Sequence, residues 1–148
     1  MAKILIVEDE PIVAQEMALT LADAGHQVIG IANDGATAVR HALAANPELV
    51  LMDIQLANNS DGIETAKLMQ AQASVPVVFV SANLDPNTRQ RAAAANPVGY
   101  LVKPYSPDQL LKTVTAVEEA ARGRQRNDKR IDRVNAGHCH DSIHTDRR

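Results

Sequence analysis

Five short apolar runs, each followed by a stretch with helical spacing, leave this chain few folds to choose from. The runs centre on Ile4-Leu5-Ile6-Val7, Gln27–Ala32, Leu49-Val50-Leu51-Met52, Val77-Val78-Phe79-Val80 and Tyr100-Leu101-Val102. Runs of this length, rich in Val, Ile and Leu, read as strands buried on both faces of a parallel sheet. Strands are expected near 3–8, 27–32, 48–53, 76–81 and 98–102, and helices near 11–24, 34–45, 62–72, 86–95 and 107–121. Repeated strand–helix units with short connections predict an α/β fold, a doubly wound parallel sheet with helices on both faces. Aromatic residues make up only 2% of the 148 residues, so the core must be aliphatic and rich in alanine.

Polar residues stand where these runs end. Glu8-Asp9 follows the first, Asp53 the third, Ser81 the fourth and Lys103-Pro104 the fifth. Open α/β sheets bind ligands outside the carboxyl ends of their strands. The chain thus offers three carboxylates, a hydroxyl and an ammonium to one crevice. Glu8, Asp9 and Asp53 converge if the first and third strands are neighbours, and three carboxylates in one cleft repel one another. A bound cation relieves that repulsion, and an all-oxygen donor set favours Mg²⁺ or Mn²⁺ over zinc. Asp53 is the candidate nucleophile, because a carboxylate can accept a phosphoryl group as an acyl phosphate. Lys103 would neutralise charge on the phosphoryl oxygens, and Ser81 could donate to one of them. Taken singly, each residue has a plainer reading. Glu8-Asp9 could cap a helix beginning at Pro11, Ser81 could be a turn residue, and Lys103 could be a solvated lysine. None of these readings explains why all four motifs end buried strands.

The helix starts carry local signals. Ser106-Pro107-Asp108-Gln109 supplies an N-cap serine, a first-position proline and a third-position glutamine. Asp61-Gly62-Ile63-Glu64 has the same acceptor and Glu spacing, and Asp85-Pro86 opens the fourth helix. The last helix has an apolar stripe at Leu110, Val114, Val117 and Ala121. The fourth is different: its interior, Arg89 to Ala95, has no large apolar residue, so packing should hold it only weakly.

These residues make the chain resemble the receiver domains of two-component response regulators. The resemblance covers residues 1–121 and rests on Glu8-Asp9, Asp53, Ser81 and Lys103-Pro104, with Tyr100 three before the lysine. It implies a flavodoxin-like (βα)5 fold with five parallel strands in the order 2-1-3-4-5. It also implies that Asp53 is the phosphorylation site, that Asp9 ligates Mg²⁺ directly and Glu8 through water, and that the backbone carbonyl of Gln55 completes the metal shell. Ser81 and Tyr100 are then the switch pair and Lys103 the phosphoryl contact. The implied partners are a sensor histidine kinase or a histidine phosphotransfer protein, with a downstream protein target and a possible homodimer. The chain departs from the commonest family pattern at Glu8, where Asp is more usual, and at Ser81, where Thr is. It also has Ala57 in place of a proline, and the loop from Asp53 to Gly62 is one residue longer than usual.

Other functions fit less well. A phosphatase using an aspartyl phosphate is the enzyme alternative, but it needs an acid two residues after the nucleophile, and Gln55 is there. A switch that is not a turnover enzyme is therefore expected. A nucleotide- or flavin-binding module needs a phosphate cradle after the first strand, and Glu8-Asp9-Glu10-Pro11 is acidic. Residues 1–121 hold 7 Lys/Arg against 14 Asp/Glu, whereas 122–148 hold 8 against 4. Residues 122–148 are expected to be a basic, disordered tail, too short for a DNA-reading domain, so direct DNA binding is not expected. His138, Cys139, His140 and His144 crowd the tail without a defined ligand geometry, so a metal site there is not expected. With no apolar run long enough to span a bilayer, no signal peptide pattern and a single cysteine, no membrane contact and a cytoplasmic location are expected.

Overall fold

The structure, a computed structural model, describes residues 1–123. The expected basic tail lies, from residue 124 onward, outside the described residues, as does its His/Cys cluster. By Cα proximity the chain divides into units Met1–Val114 and Thr115–Arg148, and the sheet with every side chain discussed below lies in the first.

Five strands, β1 (Lys3–Val7), β2 (Gln27–Ala32), β3 (Leu49–Asp53), β4 (Val77–Ser81) and β5 (Gly99–Val102), alternate with helices α1 (Pro11–Asp23), α2 (Gly35–Ala45), α3 (Gly62–Gln72) and α4 (Pro86–Ala93). A fifth helix, α5, starts at residue 107 and runs to the end of the described residues. All strand pairs are parallel, in the order β2-β1-β3-β4-β5. The expected fold is therefore the observed one.

Burial explains why the central runs are continuously apolar. Every residue of β3 and of β4 is buried. Successive side chains leave a strand on opposite faces, so each run feeds two half-cores. Leu5, Val7, Val50, Met52, Val77 and Phe79 form one, with Ala38 and Ala42 of α2, Ile63, Ala66 and Met69 of α3, and Ala92 of α4. Ile4, Ile6, Leu49, Leu51, Val78 and Val80 point the other way and are as fully buried, as are Met17 and Leu21 of α1 and Leu110 and Val114 of α5. Alanines on the helices let them approach a sheet whose only phenylalanine, Phe79, is wholly buried.

The caps follow the sequence closely. The Gln109 N–H donates to Ser106 Oγ at 3.2 Å, and the Ser106 N–H donates back to Gln109 Oε1 at 2.8 Å, a reciprocal capping box. Asp34, Asp61 and Asp85 accept from the first-turn amides of Thr37, Ile63 and Thr88 at 2.7–2.8 Å. The second expected box is half made, because Glu64 pairs with Lys67 at 3.4 Å instead of reaching back. The fourth helix also ends at Ala93, two residues short of the expected end.

The strand order reverses between β1 and β3, so a crevice opens at their carboxyl ends. The long β3–α3 connection forms a small hairpin beside it. Gln55 and Asp61 bridge antiparallel, and the Ser60 N–H donates to the Ala57 carbonyl at 3.1 Å across Asn58 and Asn59. Both asparagines have left-handed φ, 60° and 56°, the conformation that two-residue hairpin turns require.

Candidate functional site

β1, β3, β4 and β5 deliver the polar residues to that crevice. Glu8 follows β1, and its amide donates to the Ala32 carbonyl at 2.9 Å, which extends the pairing of β1 with β2 by one residue. Asp53 ends β3, Ser81 ends β4 and Lys103 follows β5, its amide held by the Ser81 carbonyl at 3.0 Å. Glu8, Asp53 and Ser81 are buried, whereas Asp9 is partly exposed.

The Lys103 ammonium stands between two carboxylates. Its Nζ lies 2.8 Å from Glu8 Oε1 and 3.0 Å from Asp53 Oδ2. Burial opposes the charge on this lysine. The hydrogen bonds to Glu8 and Asp53, and their negative charges, outweigh that penalty and hold the ammonium above its ordinary pKa. Glu8, Asp9 and Asp53 each offer an oxygen within 4.8 Å of the others. The carboxyl of Asp9 is pushed up from its ordinary value, first by burial and then by its hydrogen bond to Glu8 and that residue's charge. Three converging oxygens with no nitrogen or sulfur donor fit a hard divalent cation.

The remaining oxygens are held by the backbone. Asp53 Oδ1 accepts the Gln55 amide at 3.0 Å, and Glu8 Oε2 accepts the Glu10 amide at 3.2 Å. Glu10 is the N-cap of α1 and makes no side-chain cap bond. The plain reading of Glu8-Asp9 as helix caps therefore accounts for one bond to the entry of α1 and not for the cluster. A cavity of about 220 Å³ opens over Asp9, Asp53, Gln55, Ser81, Asn83 and Lys103.

Of the expected switch pair, Ser81 bonds to Asn83 and Tyr100 packs against the core. Ser81 Oγ accepts the Asn83 amide at 3.1 Å and donates to the Asn83 carbonyl at 3.1 Å. Tyr100 is half-buried against the core, its ring centroid 6.4 Å from that of Phe79 and 5.4 Å from the Arg89 guanidinium carbon, which lies over its face. The Lys103–Pro104 peptide bond is cis.

Three features escape sequence reasoning. One is Gly62: a Cβ there would lie 2.0 Å from the Asp53 carbonyl oxygen, so the entry of α3 rests directly on the backbone of Asp53. The asparagine hairpin is the second. The third is an ion pair between Arg91 of α4 and Asp61, the cap of α3, residues thirty apart with no local signal linking them.

The chain is similar to proteins of one known family. The sequence pattern of the response regulator receiver domain matches residues 4–115. The chain is 33% identical over 112 residues to the transcriptional regulatory protein PdtaR of Mycobacterium tuberculosis, covering 76% of this chain and 54% of that protein. It is 33% identical over 127 residues to the phyllosphere-induced regulator PhyR of Methylorubrum extorquens, covering 83% and 47%. The chain thus spans about half the length of these curated relatives. Among solved structures, the chemotaxis protein CheY4 of Vibrio cholerae superposes with a TM-score of 0.74 at 32% identity, over 79% of this chain and 98% of that one.

Proposed function

This chain belongs to the response regulator receiver domain family, and on that premise we propose that it is a phosphorylation-dependent switch that accepts a phosphoryl group on Asp53. Residues 1–121 are the receiver unit. The observation that carries the reading is the ammonium of Lys103 held against both Glu8 and Asp53 at the sheet's switch point.

Asp53 Oδ2 is the attacking oxygen. Its partner Oδ1 is fixed by the Gln55 amide, so the carboxylate is oriented before a donor arrives. The donor is a phosphohistidine on a sensor kinase or a histidine phosphotransfer protein. The phosphorus–nitrogen bond breaks, a phosphorus–oxygen bond to Asp53 forms, and the imidazole leaves with a proton. Lys103 moves with the charge, from the Asp53 carboxylate to the phosphoryl oxygens. Asp9, Asp53 and the Gln55 carbonyl would hold Mg²⁺ or Mn²⁺, with Glu8 contributing through water. The ion, when bound, supplies positive charge for the phosphoryl oxygens.

Ser81 and Tyr100 then read the modification. Ser81 turns from Asn83 to a phosphoryl oxygen, and the Tyr100 ring takes up the space it leaves. The face of α4 and β5 changes and is offered to a downstream protein. The protein works as a switch in the cytoplasm and not as a turnover enzyme. Gln55 supports this, because its carboxamide has no acidic proton to give a leaving group. Among the described residues no helix is long and apolar enough to cross a membrane.

The test is to incubate the protein with a small acyl phosphate and Mg²⁺ and to measure the intact mass. The parent should gain one phosphoryl group, chelator should suppress the gain, and Asp53→Asn should not gain it. Equal labelling of Asp53→Asn sinks the assignment.

A further inference from the structure

α4 is attached to the domain in an unusual way. A helix normally docks through large apolar side chains, but within α4 only Ala92 is buried. Leu84 just before the helix and Ala95 just after it pack on the core, and two arginines add polar attachments. Arg89 stacks over Tyr100 and donates its Nε to the Leu84 carbonyl at 3.3 Å. Arg91 reaches across to Asp61, half of its side chain remaining exposed.

Asp61 is a fixed partner. One carboxylate oxygen caps α3 through the Ile63 amide at 2.7 Å, and the other holds Arg91. Next to it, the Gly62 amide donates to the Ile54 carbonyl at 2.7 Å, and Gly62 leaves no room for a methyl group against Asp53. The pair therefore ties α4 to the strand end that carries the phosphoacceptor.

We propose that the Arg91–Asp61 ion pair is a latch that holds α4 in the position seen here, opposing the conformation in which Ser81 faces a phosphoryl group on Asp53. This rests on the function proposed above. When Ser81 turns, it gives up both bonds to Asn83, and the segment leading into α4 comes free. The arginines then add the main polar restraints on a helix whose apolar grip is limited to Ala92 and its flanking Leu84 and Ala95. A cleft of about 400 Å³, lined by Ser81, Asn83, Thr88 and Arg91, gives the helix room to move. The plainer reading is an exposed salt bridge without consequence, since such pairs contribute little to folding. The same small contribution is enough to move a balance between two conformations of similar free energy.

The test uses beryllofluoride with Mg²⁺ as the phosphoryl mimic, titrated into the full chain by calorimetry. Ligand and latch favour opposite conformations, so Arg91→Ala and Asp61→Asn should each tighten binding by roughly two- to fivefold, the range an exposed pair supports. Asparagine keeps the cap on α3, so the second variant removes only charge. The double variant should bind no tighter than either single one, Arg91→Lys should fall between parent and alanine, and Asp23→Asn, on the exposed end of α1, should match the parent. Parent-like affinity in both single variants, or additive effects in the double one, overturns the latch. Amide hydrogen exchange gives a reading that does not depend on the mimic. In the free protein, residues 83–93 should exchange faster in Arg91→Ala than in parent or Asp23→Asn. Unchanged exchange refutes the latch, whereas failure of the parent to bind beryllofluoride through Asp53 refutes the proposed function instead.

Discussion

Gly62→Ala should damage the domain and its chemistry together. The new Cβ would lie 2.0 Å from the Asp53 carbonyl oxygen and 2.9 Å from the Ile54 Cα. Carbon and oxygen approach to about 3.3 Å at closest in ordinary contacts, so something must yield by roughly 1.3 Å. Both neighbours are backbone of a buried strand end, and no side chain can swing aside. Overpacking of this kind costs about 1–3 kcal/mol. Lengthening the 2.7 Å bond from the Gly62 amide to the Ile54 carbonyl costs about 0.5–1.5 kcal/mol more. Replacing a glycine returns about 0.4–1 kcal/mol through the unfolded chain. The net loss is about 0.5–4 kcal/mol, centred near 2, or roughly 2–16 °C in Tm for a domain of this size. Thermal and urea unfolding measure it. Gly99→Ala is the control, since its Cβ would meet only Val78 at an ordinary 3.7 Å. It should stay within about 0.5 kcal/mol of the parent. Because the displaced atoms belong to Asp53, acyl phosphate labelling of the folded variant should also slow by roughly 10- to 100-fold, the usual cost of misplacing a reacting group by an ångström. A Gly62→Ala protein as stable as Gly99→Ala and labelled at the parent rate would refute the close-approach reasoning.

Lys103→Met leaves Glu8 and Asp53 facing each other without their cation, and should lower stability in urea by about 3–5 kcal/mol; added Mg²⁺ should then raise its Tm more than the parent's, and equal shifts would show that the ammonium does not balance these carboxylates. Phe79→Ala removes the one buried phenylalanine and should cost about 3–5 kcal/mol in the same assay. For Asp61, burial pushes the carboxyl up, but Arg91 and the Ile63 and Glu64 amides prevail and hold it below its ordinary 3.8. A depressed carboxylate stabilises fully above the unfolded value and loses that contribution as pH falls through the folded one. The stability gap between parent and Arg91→Ala should therefore be constant above about pH 5 and shrink below about pH 4; a gap that persists at pH 2 would mean the pair is not ionic.

Residues that act through near neighbours were legible in the sequence. Val77 to Val80 announced a buried strand because a run that is β-branched, short and preceded by Pro76 fits a strand better than a helix. Ser106 and Gln109 announced their box because both partners lie within one turn. Glu8, Asp53 and Lys103 were legible as strand-end groups, and the fold then brought them together. What the spacing did not reveal was their arrangement. Lys103 and Glu8 are 95 residues apart, and only the strand order makes one ammonium serve two carboxylates. The role of Arg91 was hidden for the same reason, and its α4 looked merely weak because alanines and arginines carry no packing signal. Gly62 could be seen as a helix-entry glycine, but not as one pressed against the phosphoacceptor. The orientation of Ser81 toward Asn83 depends on a rotamer, which no pattern of residue types specifies.

The asparagine hairpin has a consequence for how such a chain can diversify. Its base is stitched to fixed points: the Ala57 amide donates to the Asn33 carbonyl, and the Gly35 amide to Ser60 Oγ. Asn58 and Asn59 project beyond that seam as an exposed tip. An extra residue is thereby absorbed without shifting Asp53 on one side or α3 on the other. Drift at the tip is confined to residues that accept left-handed φ, glycine and asparagine above all, and within that limit the acceptor geometry is inherited unchanged.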